Sequence, residues 1–588
     1  MYNQGTYQNG AYVPRSSNYG KSNKGMIIGI SIFVIIAAIV AFGIYRLKKD
    51  GVDLKNVKMQ DITSMASGVV NDIKNIGKSN KSSSNSNNSN STANSTESNT
   101  IVEDTDEVAT SSDAQAINLE GDSISFSGNG AQVNGNIITI TNAGTYSLSG
   151  TLNDGQIIVE ANDDDKVIFL LSGADISCSN SAPIHVKNAD KTILTVEDGT
   201  KNTISDGNKY SDTSEEAPSA AIYSKDDLTI NGTGELIVKG NYDNGIKTTN
   251  DLKINGTILS VTSKANGMVG NDTVTIKSGT ISVNAGDAGI KAKNTEEEDK
   301  GFIQIEGGNT SIVSVGDGLN SNKDVHIVGG DLEIKSEDDG IHADSNLNIS
   351  EGNINILNSY EGLEAKVINI SGGTTRLVSS DDGINAGGGN DSSGFGGRGG
   401  DMFSSQSGVE VNITGGYLYA NANGDGLDSN GNLTISGGTV LVDGPTSNGN
   451  GALDANGTIL VNGGFLVAAG SSGMAESPAT SSTQYSMSLG VGSQSAGSII
   501  HIEDSSGNNI LTYAPSKKYQ SVVFSAPQLK NGATYTIMTG GKSSGNAIDG
   551  LYSDGSYSGG STLTSLTLSG IVTSYGSSGG GGGMRPFR

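Results

Sequence analysis

The sequence predicts an all-β fold: a parallel β-helix of about eleven coils with a β-rich C-terminal cap, preceded by one transmembrane helix and a disordered linker. One observation is a motif that returns at steps of about 22 residues through the middle of the 588-residue chain. Another is that glycine supplies 85 residues and proline only 8, which excludes collagen and provides many turns. The apolar residues, 34% of the chain, also come in short runs rich in β-branched side chains. These runs predict short strands around a long, thin core.

Residues 1–25 form an N-terminal tail, and residues 26–45 are predicted to span a membrane. The span is uncharged and mostly apolar, and at ~1.5 Å rise per residue it crosses a hydrocarbon layer of ~30 Å. A cleavable signal peptide is disfavoured, because the apolar run is too long and no small-x-small cleavage site follows it. Counting basic residues alone slightly favours the opposite orientation. We nevertheless predict a single-pass protein of the cell membrane with an extracellular C-terminal domain, because the repeats have an extracellular character.

The segment between the span and the repeats is predicted to be a stalk and a tether. In residues 46–78, apolar side chains recur at spacings of 3 and 4 residues, which suits a short amphipathic helix. A frayed stalk fits equally well, because a short isolated helix is marginally stable. Residues 79–115 are rich in Ser and Asn and then acidic, so they cannot bury a core. They are predicted to form a flexible linker.

Residues 116–470 are predicted to be the β-helix, because a Gly followed by Ile, Leu or Met marks each coil. The steps are close to 22 residues, except for one of 29 and one of 43, where insertions, the second Gly-rich at 387–407, leave the register intact. Each repeat also contains two strands around a Gly turn, so three short strands per coil stack at the ~4.8 Å interstrand spacing. Leucine-rich repeats and propellers lack this pattern. A β-rich cap at 471–570 and a Gly-rich tail at 571–588 complete the chain. The marker glycines are Gly245, Gly267, Gly289, Gly318, Gly340, Gly362, Gly383 and Gly426.

The residue before each marker Gly carries the candidate chemistry. It is acidic in five consecutive coils, so like charges are predicted to stack at one corner, where each neighbouring pair costs ~0.9 kcal/mol in bulk water. Carboxylates and turn carbonyls at such spacing suit Ca²⁺, which takes about six to eight oxygens in loose geometry. The predicted calcium ligands are Asp317, Asp339, Glu361, Asp382 and Asp425, with Asp338, Asp381 and Asp428 beside them.

A simpler interpretation of the same column remains open. Asp-Gly and Asn-Gly pairs form turns, with Asp and Asn favoured for local hydrogen bonds and Gly for positive φ. The early coils, which carry Asn244 and Asn266, fit this interpretation better. Both hypotheses predict a stacked column, but only the calcium hypothesis requires the negative charge.

Catalytic chemistry is weakly indicated. The four histidines share no evident column, which disfavours a zinc site or a histidine-based reaction. Paired acids suit glycoside hydrolysis in principle, but adjacent residues of one strand usually diverge. A calcium-dependent uronate lyase requires a basic side chain beside the metal, and the candidates are Lys366, Arg376 and Arg398.

The formal charge of −26 disfavours nucleic acid as a partner and favours cations. The chain contains no Trp, whose flat face commonly grips neutral sugars and crystalline cellulose. Tyr360, Tyr417 and Tyr419 offer a small platform, although strand tyrosines also serve as packing residues. An acidic polymer bridged through Ca²⁺ avoids the shortage of aromatic residues.

Several segments, in order, carry a family resemblance: INLEGDSISFSGNG, GTYSLSGTLNDGQIIVE and DDDKVIFLLSGADISC near the start, and SVVFSAPQLKNGATYTIMTGG near the end. Together with the segments between them, they resemble the carbohydrate-binding, polysaccharide-lyase-like β-helix family of clostridial and related bacteria. The resemblance spans residues 117–541. It implies a right-handed parallel β-helix with bound calcium that binds cellulose or acidic plant polysaccharides such as polygalacturonate, without established cleavage.

The resemblance places the calcium-binding acids of the family on the same five corner residues. The Asn-Thr-Asp and Gly-His-Gly motifs of the related polygalacturonases do not occur in this chain. The predicted function is therefore a cell-surface protein that binds acidic or cellulosic polysaccharide with Ca²⁺ and is not an enzyme. The alternatives are a calcium-dependent lyase of the pectate type and a structural or adhesive envelope protein.

Overall fold

The computed structural model describes residue 108 and residues 114–387 and 405–576. These residues form 45 strands and no helix, so the predicted all-β class is confirmed for the part of the chain that the structure describes. Most strands belong to one continuous sheet in which strands pair in parallel with those one repeat further along. Ile246 pairs with Met268, Met268 with Ile290, and Ile290 with Leu319. The repeat register read from the marker glycines is therefore the register of the sheet.

Three ladders of parallel strands run through the repeats. The first, which we call the marker ladder, holds the strands that begin at or close to the marker glycines and their equivalents in the outer coils. Its strands are Ile137–Ile140, Gln156–Glu160, Ile184–Asn188, Ala220–Ser224, Asn244–Thr248, Met268–Gly270, Ile290–Ala292, Leu319–Ser321, Ile341–Ile349, Leu363–Ile370, Ile384–Ala386, Leu427–Ser429 and Leu453–Ala455.

The second and third ladders follow along each coil. The second contains the C-terminal halves of Ile341–Ile349 and Leu363–Ile370, together with Lys191–Val196, Asp227–Gly232, Phe302–Ile305, Asp324–Ile327, Glu410–Ile413, Asn432–Ile435 and Ile459–Val461. Long strands run through both ladders: Gln115–Gly121, Gly144–Leu152, Lys166–Cys178, Asp251–Ser263 and Thr273–Ala285. The third is completed by Lys201–Asp206, Glu235–Gly240, Asn309–Ser314, Asp331–Ser336, Asn353–Ser359, Thr374–Ser379, Tyr417–Ala422, Thr439–Asp443 and Phe465–Gly470.

Apolar side chains stack in the core from coil to coil. Along the marker ladder, Ile290, Leu319 and Ile341 pair in register and are fully buried. Strand residues alternate between core and surface, so each short strand contributes one or two side chains to the same continuous core. The repeated burial makes the register specific, because a slip of one residue turns the apolar side chains outward.

The marker glycines allow adjacent coils to approach closely. None of them has a positive φ. A Cβ added at Gly340 would lie 2.6 Å from the carbonyl oxygen of Gly362, and one at Gly362 would lie 2.3 Å from that of Gly383. These distances are too short for any side chain, so the marker position requires glycine because of the neighbouring coil. The turn interpretation, which assigned these glycines to positive φ, is wrong on this point.

A second class of glycine does supply turns with positive φ. In the two-glycine turn between the second and third ladders, Gly330 has φ 84° and Gly438 has φ 75°. L-residues with a Cβ rarely adopt this region, so glycine is favoured here for its conformation. The abundance of glycine thus has two separate physical causes.

Antiparallel pairing replaces the parallel ladders at the two ends of the described chain. At the N-terminal end, Ile124–Phe126 pairs with the first strand, and Ala131–Asn134 pairs with Ile137–Ile140. At the C-terminal end, Tyr519–Ser525 pairs antiparallel with Phe465–Gly470. Ser486–Gln494 pairs antiparallel with Tyr519–Ser525 and in parallel with Val572–Tyr575. The remaining strands form a six-stranded sheet of Ile500–Asp504, Asn509–Tyr513, Thr534–Ser543, Ala547–Ile548, Leu551–Tyr552 and Tyr557–Thr567. A second apolar core lies at this end.

The predicted localisation, a single-pass membrane protein with an extracellular C-terminal domain, is contradicted by the structure. Within residues 114–387 and 405–576 the apolar runs form strands, and no helix long and apolar enough to cross a bilayer is found. The segment 26–45 on which the prediction rested lies outside the described residues. The same holds for the stalk at 46–78, most of the linker at 79–115, residues 388–404 of the insertion and residues 577–588 of the tail.

Candidate functional site

The five predicted corner acids stack in one column. The backbone N–H of Asp339 donates to Asp317 Oδ1 at 3.1 Å, and that of Glu361 donates to Asp339 Oδ1 at 3.0 Å. The N–H of Asp425 donates to Asp382 Oδ1 at 2.5 Å. Each of these three carboxylates therefore accepts a bond from the coil that follows it. The spacing of the marker motif correctly predicted this stacking.

An uncharged side chain makes the same bond in the earlier coils. The N–H of Asn266 donates to Asn244 Oδ1 at 3.2 Å, as the equivalent groups do in the acidic coils. The hydrogen bond between coils thus needs a side-chain oxygen and no charge. The five consecutive acids carry negative charge that this structural bond does not require.

A second column runs beside the first on the marker ladder. Its side chains lie two positions after each marker Gly and pair in register from coil to coil. Asn385 Nδ2 donates to both carboxylate oxygens of Glu361, at 3.0 and 2.9 Å, and so joins the two columns. We call the two columns together the acidic strip. Besides the five corner acids it contains Asn320, His342, Glu364, Asn385, Asp428 and Asp454.

The predicted neighbours Asp338 and Asp381 lie at the edge of the acidic strip. Asp317, Asp338 and Asp339 each place one carboxylate oxygen within 4.8 Å of the others. Asp381 is half-buried, and its charge helps to raise the pKa of Asp382. The structure thus brings both residues to the corner column, and one of them completes a compact set of three oxygen donors.

His342 is a member of the acidic strip that the sequence analysis did not assign. Its Nδ1 lies 2.5 Å from Glu364 Oε2 and 3.7 Å from Asp339 Oδ2, and its Nε2 lies 3.0 Å from Asp344 Oδ1. Burial lowers the pKa of His342, but the three carboxylates more than offset this and raise it to about 12. A protonated His342 therefore compensates the charge around Asp339 and Glu364.

The acids further along the strip have no such cation. Burial, followed by neighbouring carboxylates, raises the pKa of Glu361 to about 9 and of Asp382 to about 8. The pKa of Asp428 rises to about 8 and that of Asp425 to about 7, with burial again the main cause. Within the described part of the chain, no Lys or Arg forms an ion pair with these four carboxylates. This stretch of the strip therefore holds one buried and three half-buried carboxyl groups that have no cationic partner and that favour the protonated form when no metal is bound.

The donor set of the strip fits a hard cation. Asn385 Oδ1 is buried and accepts no hydrogen bond, although the same side chain donates twice to Glu361. A buried carbonyl oxygen without a partner costs free energy that a cation offsets. Carboxylate and amide oxygens are the ligands that Ca²⁺ prefers. The residues present therefore fit calcium.

Other candidates from the sequence have structural partners elsewhere. Tyr417 donates to Asp549 Oδ2 at 2.7 Å, and Arg376 Nε donates to the same oxygen at 2.7 Å. Tyr419 donates to Asp443 Oδ2 at 3.0 Å. Both tyrosines pack against the second apolar core, which favours the packing interpretation. Arg398, another candidate base, lies outside the described residues.

Comparison with known proteins identifies related sequences for part of this chain. The model of a family described as carbohydrate-binding domain-containing protein matches residues 134–383. A protein of the same description from Acetivibrio thermocellus is 43% identical over 126 residues, which are 21% of this chain and 44% of that protein. A solved structure of a polysaccharide lyase-like protein from C. thermocellum, a gadolinium derivative, is 38% identical with a TM-score of 0.37, and the match covers 38% of this chain and 91% of that one. Residues 134–383, which include the first four corner acids, are thus similar to the carbohydrate-binding domain-containing family.

Proposed function

We propose that this chain binds acidic polysaccharide through calcium held by the acidic strip, and that it does so without cleaving the polymer. The observation that carries the proposal is the stretch of buried and half-buried carboxyl groups without a cation, from Glu361 to Asp428. Buried charges are normally paired or coordinate a metal, because desolvation makes an isolated charge expensive. The match to a carbohydrate-binding family supports the ligand class.

Two parts of the strip are suited to hold calcium. Asp317, Asp338 and Asp339 form the compact set of oxygen donors. Asp425 and Asp428 both raise the pKa of Asp382, and Asp428 pairs in register with Asn385, whose side-chain oxygen is unpartnered. Bound calcium would supply positive charge to the strip and to the carboxylates of an acidic sugar. Asp382, Asp425 and Asp428 are half-buried, so these residues would hold the ion with part of its coordination shell open to a ligand.

The ligand class follows from the charge of the protein. At a formal charge of −26 the chain repels an acidic polymer, so binding of such a polymer requires a metal. A calcium bridge satisfies this requirement. Plant-type uronic acid polymers such as polygalacturonate carry a carboxylate on each sugar, and this regular spacing suits a strip that repeats from coil to coil.

We also infer that the three ladders are the faces of a right-handed parallel β-helix. Each coil of about 22 residues returns to pair in parallel with itself, and parallel crossover connections are right-handed in nearly all proteins. Such a coil presents the same surface position once per turn. The stacked columns of the acidic strip depend on this geometry.

Polygalacturonate binding, measured with calcium and with excess chelator, tests the proposal. In the variant Asp339→Asn, Glu361→Gln, Asp382→Asn, the charge is removed while side-chain size and hydrogen-bonding oxygens are kept. We expect the parent protein to bind only with calcium. We expect the variant to lose calcium binding and polymer binding together while it remains folded.

The matched control removes three charges from the same region of the chain. Glu333, Glu337 and Glu351 are exposed, and their replacement by Gln changes the net charge equally without touching the strip. This control should bind like the parent. Retained calcium-dependent binding in the folded strip variant would contradict the proposed site. Unsaturated oligosaccharide products would instead favour a lyase, and a parent protein that does not bind polygalacturonate with calcium would contradict the ligand class.

A further inference from the structure

A cavity of about 430 Å³ lies near the N-terminal end of the same marker ladder. Tyr223 and Lys247 line it, and they pair in register with each other. Further along the same ladder, the equivalent outward positions are occupied by His342 and Glu364 of the acidic strip. The two regions thus use the same surface position of the repeat with different side chains.

Aromatic rings form one wall of this cavity. Tyr242 lines it and stacks on Tyr210, with ring centroids 4.1 Å apart and planes inclined by 13°. Tyr210 is held in place from behind, because its hydroxyl oxygen lies within hydrogen-bonding distance of Asp206 Oδ2, at 2.8 Å, and of the carbonyl oxygen of Ala220, at 2.9 Å. Tyr223 is held edge-on against His185, with centroids 5.6 Å apart. Contacts within the protein therefore position Tyr210 and Tyr223 beside the cavity.

The polar groups of the cavity carry both signs of charge. Lys247 and Lys264 are formally positive, and Asp243 and Glu215 are formally negative. The formal charges of these four lining groups therefore cancel. Lys247 Nζ donates to Ser219 Oγ at 2.9 Å. Burial raises the pKa of Asp243 and lowers that of Lys247, which shifts each group toward its neutral form. The lining thus offers donors and acceptors without favouring either sign of ligand.

We propose that this cavity is a second carbohydrate site, which binds a neutral sugar ring without calcium. A sugar ring packs its C–H face on an aromatic side chain, while its hydroxyls both donate and accept hydrogen bonds. Tyr242, which is half-buried, supplies the first contact, and Lys247 and Asp243 supply the second. An anionic sugar would meet Asp243 and Glu215, and a metal ion would meet two lysines, so neither fits as well. The volume lies in the range of small-ligand sites, about 300–1,000 Å³.

Isothermal titration with cellohexaose, mannohexaose and xylohexaose in excess chelator tests the second site. We expect at least one of these neutral sugars to bind the parent protein. Tyr242→Ala should weaken that binding by about tenfold or more, since aromatic stacking and the packed area are both lost. Tyr242→Phe is the matched control, because it keeps the ring, and it should bind like the parent.

Lys264→Ala keeps the test decisive if Tyr242→Ala does not fold. Lys264 is exposed, so replacing its side chain should leave the fold intact. The affinity for the neutral sugar should fall by about fivefold. The acidic-strip triple variant should retain neutral-sugar binding, which separates this proposal from the calcium-dependent one. Failure of all three sugars to bind, or parent-like binding by folded Tyr242→Ala or by Lys264→Ala, would overturn it. Tighter binding of oligogalacturonate than of the neutral sugars in chelator would overturn the assigned ligand class.

Discussion

The two ends of the marker ladder share a backbone and differ in chemistry. Toward the N-terminal end, Tyr223 and Lys247 occupy the outward position, and the lining charges of the cavity cancel. Toward the C-terminal end, Glu364 and Asp428 occupy it beside a column of buried acids. The repeat thus fixes the position of each side chain on the ladder, and the residue type at that position decides what the surface binds.

The ends also differ in how their charges are satisfied. The acidic strip leaves Glu361, Asp382, Asp425 and Asp428 without an ion pair among the described residues. The cavity has its own opposite charges. Metal and pH should therefore affect the stability of the strip and leave the cavity largely unchanged, whereas a change in the shared backbone should affect both ends.

The largest expected effect tests the shared backbone. In Gly245→Ala the new Cβ would lie 2.7 Å from the carbonyl oxygen of Gly267, and in Gly340→Ala it would lie 2.6 Å from that of Gly362. We expect each change to lower the free energy of unfolding by about 3 kcal/mol, because the neighbouring backbone cannot move away. Chemical denaturation measures this. Gly449→Ala is the control, because no atom lies within 4 Å of the added Cβ and its φ is not positive. If only one of the two variants is destabilised, the repeats at the two ends are not equivalent.

The next prediction concerns the pH dependence of folding stability in the absence of metal, which should come from the acidic strip and not from the cavity. Burial raises the pKa values of Asp382 and Asp428 in the folded protein to about 8, above the unfolded value of about 4. Between these pH values the folded protein binds more protons than the unfolded chain, so its stability is greatest at the acidic end and falls as pH rises. We expect each of the two groups to contribute a loss of up to about 1.4 kcal/mol per pH unit between about pH 5 and about pH 8 in chelator. Denaturation curves that do not change with pH would contradict the conclusion that the carboxyl groups of the strip lack a compensating cation.

Calcium should weaken or reverse this trend, because deprotonated carboxylates are the form that binds the ion. The groups that face Asp382 and Asp428 are Asp381, Asp425, Asp454 and Glu476, all of them acids. The strip triple variant, which lacks Asp382, should show a smaller pH dependence in chelator.

The smallest effect isolates one charge. Above about pH 8, where Asp428 is ionised, Asp428→Asn should raise the free energy of unfolding of the metal-free protein by about 1 kcal/mol, because repulsion from Asp425 and Asp454 is relieved. The exposed change Glu333→Gln should alter stability by less than about 0.5 kcal/mol. Thermal or chemical denaturation of both variants in chelator measures the difference. A destabilised Asp428→Asn would show that the charge at this position is already compensated.

Much of the acidic strip was predictable from spacing alone. Asp339, Glu361 and Asp382 follow one another at steps of 22 and 21 residues, and their stacking in one column is confirmed. Their alignment depends only on a local count of residues, because the marker strand of each repeat pairs in register with that of the next. The glycine beside each acid was also identified from the sequence, but its role was not. Its φ is not positive, and the close approach of the next coil is visible only in three dimensions.

The sequence by itself determined the all-β class, the repeat register and the column of acids, because these follow from a period that is local in the chain. Tertiary structure decided which side chains meet across coils: His342 with Glu364, Asn385 with Glu361, and Tyr210 with Tyr242. Among the described residues no helix able to cross a membrane is found, against the predicted single-pass localisation. Burial and neighbouring charge depend on contacts between residues far apart in sequence, so pKa values, charge compensation and cavities cannot be read from a linear pattern.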